Sequence, residues 1–474
     1  MGVILDDSLA YPEKVPFNPP KNYAECPLKD GLNSDNKVYP AVRHIFKLMN
    51  LDMKKYGTSD WSPLSEIIQK GQTVLIKPNL VLDRNLSGDS IFSVITHSSI
   101  IRAVVDYAYK ATGENGKLII ADAPQNDACF QKLMAVTHLS EMVENLRDDF
   151  SIPLELCDLR EEEVVNDGLI VARKALPGDP RGYVGVDLGG SSALCGLDKN
   201  YNKYYGADYD RNETQCFQND KHHIYVLSRT ALEADVIINL PKLKTHMKAG
   251  ITVSLKNMVG LVGNKNSLVH FRIGSPSTLG DEFPEYTSVS KKVSLKFNRI
   301  YTDLFLSKGV GTSVMQQLIR IGGGARTFSS ESSQEGFIHS GNWCGNDTIW
   351  RTVLDINKII TFSDKYGTLQ DRPQRNFLNL VDGILGGEGQ GPLAPLTKYC
   401  GTIICGVDPC SVDNVAAKLM GFDAQKIPLL WEALKDHKEP KIILSKNGAV
   451  ASLDLQNLPN LHFKSPRGWN ISTH

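Results

Sequence analysis

The densest chemistry in the sequence lies in residues 235–263, DVIINLPKLKTHMKAGITVSLKNMVGLVG. An apolar run ends at Leu240; Lys242, Lys244, Thr245, His246 and Lys248 follow at once, and Lys256 and Asn257 come shortly after. Lysines packed this closely need anionic company. Phosphate or carboxylate would supply it, with lysine as a point charge and loop N–H groups or a helix amino terminus as further donors. In open α/β sheets ligands bind outside the carboxyl ends of strands, which is where this cluster falls. His246, an imidazole titrating near neutrality, is the acid/base candidate, and a desolvated Lys256 is a covalent anchor or anion clamp. The plain alternative is a solvated basic turn beside a core histidine.

Three further stretches carry candidates. Lys77-Pro78-Asn79 ends an apolar run, and Thr96-His97-Ser98-Ser99 opens the next helix, so Lys77, Asn79, Thr96 and Ser98 form an anion cradle in which Thr96 or Ser98 caps the helix. Asp122, at another strand end, suits a base, a metal ligand, an acceptor for a sugar hydroxyl, or a plain cap. Asp382 and Glu388 flank and enter the run Gly386-Gly387-Glu388-Gly389-Gln390-Gly391. The acids suit a hard cation and the glycines suit close backbone approach or a flexible lid. Asp408 is placed to cap the helix after it, and Asp347 or Thr348 the helix that begins there. Neither a Walker A loop nor a dinucleotide fingerprint is present, nor a G-x-S-x-G elbow or H-E-x-x-H pair. Cys400, Cys405 and Cys410 match no CxxC or ferredoxin spacing, which excludes an iron–sulfur cluster and leaves buried structural thiols.

These residues need a scaffold. A strand from Thr73, a helix over 98–111, a strand over 117–121, a helix over 128–146 and a strand over 153–159 alternate as crossover-connected parallel strands do. Strands at 235–239 and 402–407 follow, the latter leading into a helix over 410–420, and TIWRTVLDINKII predicts another helix. The class is α/β, with parallel or mixed sheets, flanking helices and large loop insertions, arranged as two α/β lobes around a cleft. Residues 1–40 read as an irregular arm, 41–264 as the first lobe, 265–340 as an insertion and 341–474 as the second lobe. With 52 basic and 53 acidic residues the net charge is -1, so nucleic acid is not an expected partner. The absence of any long apolar window and of a signal-like start predicts no membrane partner and a cytoplasmic location. The expected partner is a small anionic metabolite.

The segments LIKPNLV, THSSIIRAVVDYAYKATG, KLIIADAPQND, DVIINLPKLKTHMKAGITVSLKN, GNWCGNDTIWRTVLDINKII and VDGILGGEGQGPLAP closely resemble the bacterial and archaeal family called domain of unknown function 362, from about residue 70 to 425. That family's name implies no reaction, and the ferredoxin-like cysteine cluster of many members is missing here. Part of the amino-terminal half also resembles the nickel-pincer lactate racemase family. His246-Met247-Lys248-Ala249-Gly250 stands ten residues before Lys256, as that family's catalytic histidine stands before the lysine holding its nucleotide. The resemblance implies a nickel ligand near His270 and an anion-binding turn at Thr96-His97-Ser98, where the family's arginine is absent. Asp122 stands where its second catalytic histidine is expected. A nickel-pincer-like nucleotide or a divalent metal, the latter held by His270, Asp382 and Glu388, is the cofactor so implied. The expected activity is a racemase- or isomerase-like proton or hydride transfer at the hydroxyl-bearing carbon of a sugar or hydroxy acid. Two alternatives stay open: a nucleotide- or phosphate-binding module without catalysis, and a metal-dependent transferase using Asp122, Asp382 and Glu388.

Overall fold

Short apolar runs whose alternate side chains all enter a core build the centre of the molecule. The computed structural model describes residues 1–28, 30–148, 152–166, 171–207, 210–306 and 336–473, so 307–335 of the expected insertion lies outside the described residues. The main sheet has 11 strands. They are β1 (Gly2–Leu5), β2 (Thr73–Pro78), β3 (Lys117–Asp122), β4 (Leu154–Asp158), β5 (Val236–Leu240) and β6 (Lys242–His246). The remainder are β7 (Gly250–Thr252), β8 (Asn376–Gln390), β9 (Ala394–Gly406), β10 (Ile442–Lys446) and β11 (Ala449–Leu453). Their order is β11-β10-β1-β9-β8-β5-β2-β3-β4, with β6 joining β8 beyond the end of β5 and β7 pairing β6. The block β8-β5-β2-β3-β4 is parallel, and β9 returns antiparallel to β8.

Helices cover both faces, which is why the parallel strands are apolar throughout rather than alternating. The helices that matter here are α1 (Val38–Leu48), α2 (Ser98–Thr112), α3 (Phe130–Thr137), α4 (Leu139–Asp148), α5 (Ser254–Asn257), α6 (Val289–Tyr301), α7 (Ile349–Phe362) and α8 (Pro409–Met420). Val74, Ile76, Leu118 and Ile120 join the cluster containing Ile101, Val104 and Val105 of α2. Their neighbours Leu75 and Ile119 point the other way, into the cluster of Ile356, Ile359 and Ile360 from α7. Val3, Leu5, Val381 and Ile404 pack with Val412, Val415 and Leu419 of α8.

The mixed α/β class with flanking helices and long insertions is the architecture observed. One sheet runs through both α/β segments of the chain, because β5 pairs directly with β8 (Val236 opposite Asn376). The first 40 residues hold β1, which lies between β9 and β10 and binds both; four residues are too few for periodicity to reveal. The expected helix over 128–146 is two, broken where His138 takes a left-handed φ of 53°. The glycine-rich 386–391 is mostly strand, with Gly387 paired to Thr397 and Gly389 to Pro395. Thr348 holds the N-cap position of α7, as one of the two expected residues, but its side chain makes no cap bond; Asn346 Oδ1 accepts from the N–H groups of Thr348 and Ile349 instead. Asp408 caps α8 as expected, accepting from Ser411 N–H at 2.8 Å.

The α2 cap is His97 rather than Thr96 or Ser98: its Nδ1 accepts from Ser99 N–H at 3.1 Å. Thr96 instead ties two strand ends together, donating to Leu240 O at 2.7 Å and accepting from Asn79 N–H at 3.0 Å. It is fully buried, so Thr96→Val leaves two backbone groups without a partner. The expected loss is about 1–3 kcal/mol of stability, read from chemical denaturation of the variant beside the parent.

Candidate active site

From β2 the chain moves outward to β3 and β4 and then returns to β5 on the other side of β2. The carboxyl ends of β2, β3 and β5 therefore surround a point where strand order reverses, the usual ligand position in such sheets. Lys77 sits near the end of β2 and Asp122 ends β3. The Lys77 ammonium donates to Asp122 Oδ1 at 2.7 Å, Pro78 O at 2.8 Å and Asn257 Oδ1 at 3.2 Å. Asp122 Oδ2 accepts from Leu80 N–H at 2.7 Å. Both side chains are buried. Burial lowers the Lys77 pKa, and the Asp122 carboxylate opposes that shift.

A row of amides extends from this pair. Asn257 Oδ1 accepts from Asn79 Nδ2 at 2.8 Å, and Asn257 Nδ2 donates to Asn239 Oδ1 at 2.7 Å. Asn239 in turn donates to Asn379 Oδ1 at 2.9 Å. The row crosses β2, β5 and β8 with each group satisfied, as a buried polar network requires. Asn257 is fixed in turn by Asp413 of α8, which accepts from Ser254 and Leu255 N–H at 2.6 and 3.0 Å and so caps α5.

Residues 242–246, which spacing placed in a loop, form strand β6. Lys242, Lys244 and His246 share one face by the two-residue period, while Leu243 enters the core beside Val3 and Val381. An irregular register separates the two lysines, with Lys242 opposite Asp382 and Lys244 opposite Gly387. Lys242 consequently meets Asp382 at 3.1 Å and Tyr11 Oη at 2.7 Å. Lys244 reaches only neutral oxygens, Val94 O at 2.5 Å and Asn79 Oδ1 at 3.1 Å.

In front of the strand ends lies a cavity of about 500 Å3. Lys77, Asn79, Asp122, Lys244, His246, Lys256, Asn257 and His270 all line it, together with Lys248, Lys265, Arg299 and His339. Its carboxylates are already paired: Asp122 with Lys77, Asp127 with Arg84, and Glu282 with Arg299. Lys244, Lys256 and Lys265 have no carboxylate partner among the described residues. Lys265 donates to Ala123 O at 3.0 Å. Burial first, then neighbouring cations, pushes the Lys256 ammonium down to about 8; burial likewise brings Lys265 down to about 7, with Asp122 pulling the other way. Lys244 is held well below its ordinary range by burial and by Lys242 and Lys256. His339 falls to about 4 by burial and the charges of Lys248 and Lys291.

His246 has a defined tautomer. Its Nδ1 accepts from the backbone N–H groups of Lys248 and Ala249 at 3.1 and 3.3 Å, so the ring proton resides on Nε2. Burial, then Lys256, Lys248 and Lys244, holds its pKa well below 6.5. A second ring proton would collide with two N–H donors. His246 is thus a neutral Nε2–H donor on the cavity wall. The turn that supplies those N–H groups depends on Gly250, whose φ of 83° favours glycine.

Five candidates lie outside the cavity lining: Thr96, Ser98, Lys242, Asp382 and Glu388. Asp382 is consumed by Lys242, by Tyr11 Oη at 2.5 Å and by His97 N–H at 3.0 Å. Glu388 sits between Lys398 and Lys464, each 3.5 Å away. His270, Asp382 and Glu388 do not converge on a common metal position. Of the pincer-type positions, His246, Lys256 and His270 share the cavity, while the Thr96-His97-Ser98 turn is spent on capping and strand ties. That constellation is therefore only partly assembled in the cavity.

Residues that spacing alone passed over complete the walls. Arg160 pairs with Asp158 and donates to Gln125 O and Ala128 O at 2.9 and 2.8 Å, holding the loop after β3 in place. Lys265, Arg299 and His339 come from the weakly periodic 265–340 stretch. Gly260 presses against the central pair.

The family model described as Domain of unknown function (DUF362) matches residues 190–418, a little under half of the chain. The match takes in β5 to β9 and most of α8, but starts after β2 and β3. Thylakoid-associated protein sll1697 of Synechocystis sp. is 51% identical over 39 residues, 8% of this chain and 12% of that protein. No solved structure matches the chain. Among the described residues no helix is long and apolar enough to cross a membrane.

A Cβ on Gly260 would stand 2.1 Å from Asp122 Oδ1 and 2.6 Å from Lys77 Nζ. Gly260→Ala is expected to part the ion pair, costing about 1–3 kcal/mol and abolishing anion binding, as read by denaturation and ligand titration. The lysines add a pH dependence. The pKa of Lys265 is about 7 when folded against an ordinary 10.5, so its stabilising share is present above 10.5 and is lost as pH falls through 7. Lys265→Met is therefore expected to gain more stability relative to the parent at pH 6 than at pH 9.

Proposed function

We propose that the chain is a cytoplasmic enzyme that binds a small anionic metabolite in this cavity and moves a proton at a carbon that bears a hydroxyl or adjoins a carbonyl group, an isomerase- or racemase-like reaction. The observation that carries the reading is the set of three ammonium-bearing side chains, Lys244, Lys256 and Lys265, facing one cavity of about 500 Å3 without a carboxylate of their own. A carboxylate or phosphate on the ligand supplies the missing charge, and the lysines act as point charges toward it.

Proton movement follows from the two groups beside that charge. Lys256, down at about 8, keeps a neutral fraction at neutral pH and is tuned as a general base for a carbon-bound proton. Removing that proton pushes the electron pair into the neighbouring carbonyl or carboxyl group, so negative charge develops on its oxygen. The neutral Nε2–H of His246 donates to this oxygen without itself giving up its proton, and nearby lysines stabilise the developing charge. Returning the proton from the Lys256 ammonium to the same or a neighbouring carbon yields the epimer or the isomer. Asp122 serves by holding Lys77 and the turn at Leu80, both of its oxygens being engaged.

The test is deuterium wash-in by proton NMR, with the protein in D2O and a panel of 2-hydroxy acids, 2-oxo acids and sugar phosphates. At least one substrate is expected to lose the signal of the C–H beside its hydroxyl or carbonyl. Lys256→Met and His246→Gln are each expected to slow that exchange about 100-fold or more. Binding of panel members with no exchange in any of them would contradict the enzymatic reading and leave an anion-binding module.

A further inference from the structure

Away from the cavity, the amino terminus of α8 brings together three donors of different chemistry. Asp408, Cys410 and His437 each place one ligand atom within 4.8 Å of the others, in the one such three-residue group among the described residues. Asp408 and Cys410 flank the start of the helix, and His437 comes from the loop after the short helix Pro428–Ala433. We propose that these three side chains form a zinc site that ties the 434–440 loop to α8, with water as the fourth ligand.

The contacts within the group favour an ion over a simple polar cluster. His437 Nε2 stands 3.6 Å from Asp408 Oδ1, too far for a hydrogen bond. It is the spacing of two ligands on one zinc: bonds near 2.0–2.3 Å at tetrahedral angles separate ligand atoms by about 3.3–3.8 Å. The other carboxylate oxygen, Oδ2, accepts from Ser411 N–H at 2.8 Å, which fixes the carboxylate and leaves Oδ1 turned to His437. Such outer hydrogen bonds are what orient ligands at metal sites. The donor set of one sulfur, one imidazole nitrogen and one carboxylate oxygen matches zinc and poorly suits magnesium or calcium, which take oxygen alone. Asp408 and His437 are partly exposed, so an ion and its water can enter.

Charge points the same way. Zinc binding replaces the Cys410 S–H bond by a Zn–S bond and releases one proton to solvent, with no oxidation or reduction. Thiolate and carboxylate then neutralise the dication. Asp413, on the same helix, caps α5, so the site anchors the helix that fixes Asn257 and Lys256.

Cobalt(II) reports on such a site directly. The full chain, stripped with chelator under reducing conditions, is titrated with Co2+ and then with Zn2+. One equivalent of cobalt is expected to give a sulfur-to-cobalt charge-transfer band in the near ultraviolet and strong visible bands of tetrahedral geometry, all bleached by zinc. Cys410→Ser is expected to lose the charge-transfer band, and Asp408→Asn and His437→Gln to weaken binding at least tenfold. Asparagine caps helices as well as aspartate does, so Asp408→Asn tests the ligand without removing the cap, and circular dichroism checks that each variant is folded. Cys344→Ser, at an exposed cysteine elsewhere, is expected to leave the spectrum unchanged. Absence of a charge-transfer band in the parent, or its persistence in folded Cys410→Ser, would overturn the proposal.

Discussion

The buried ion pair between Lys77 and Asp122 is the interaction on which the cavity depends. Two neighbouring parallel strands end on it, and the turn after β2 is fixed because Asp122 also holds the Leu80 N–H. Taking two charges out of water is costly, and it is tolerable only when remaining donors and acceptors are satisfied. Pro78 O and Asn257 Oδ1 complete the ammonium. From Asn257 the amides of Asn79, Asn239 and Asn379 carry the same satisfaction across the sheet. Removing any one member would leave a buried charge or amide without its partner, so the floor of the cavity behaves as a unit.

That floor explains how a chain of net charge -1 builds a locally cationic site. Each lining carboxylate is neutralised by its own basic partner, and the surplus ammonium groups are pressed together behind it. Burial first, and then the surrounding cations, account for the downward shifts of Lys244, Lys256 and Lys265. The repulsion among these cations is a store of binding energy for an anion, since a negative ligand relieves it for several side chains at once. His246 is kept neutral by burial and by the surrounding lysines, and two backbone N–H groups hold its Nδ1 lone pair.

Much of the framework was legible in the residues. The runs at 73–78, 117–122 and 236–240 are apolar on both faces and end in polar residues, so the strands and the chemistry at their carboxyl ends could be placed together, and Lys77, Asn79, Asp122, Lys244, His246, Lys256, Asn257 and His270 do meet. Spacing could not tell Lys242 from Lys244. Both lie on one face of β6, and only the irregular register against β8 delivers Asp382 to one and leaves the other without a carboxylate. Thr96, Asp382 and Glu388 had the right chemistry but are spent on strand ties and ion pairs that arise between distant parts of the chain. Lys265, Arg299 and His339 lie in a stretch without periodicity. Gly260 carried a faint signal, a glycine between apolar residues just after Asn257, whose meaning appears only once Asp122 and Lys77 are beside it.

The central claim is that the cavity holds an anion by favouring the ammonium form of lysines whose protonation burial opposes. Isothermal titration calorimetry of a panel-derived anionic ligand at pH 8, in two buffers of different ionisation enthalpy, measures the protons exchanged on binding. The account predicts net proton uptake in the parent, reduced in Lys265→Met. Binding with no proton exchange, or with proton release, would contradict it.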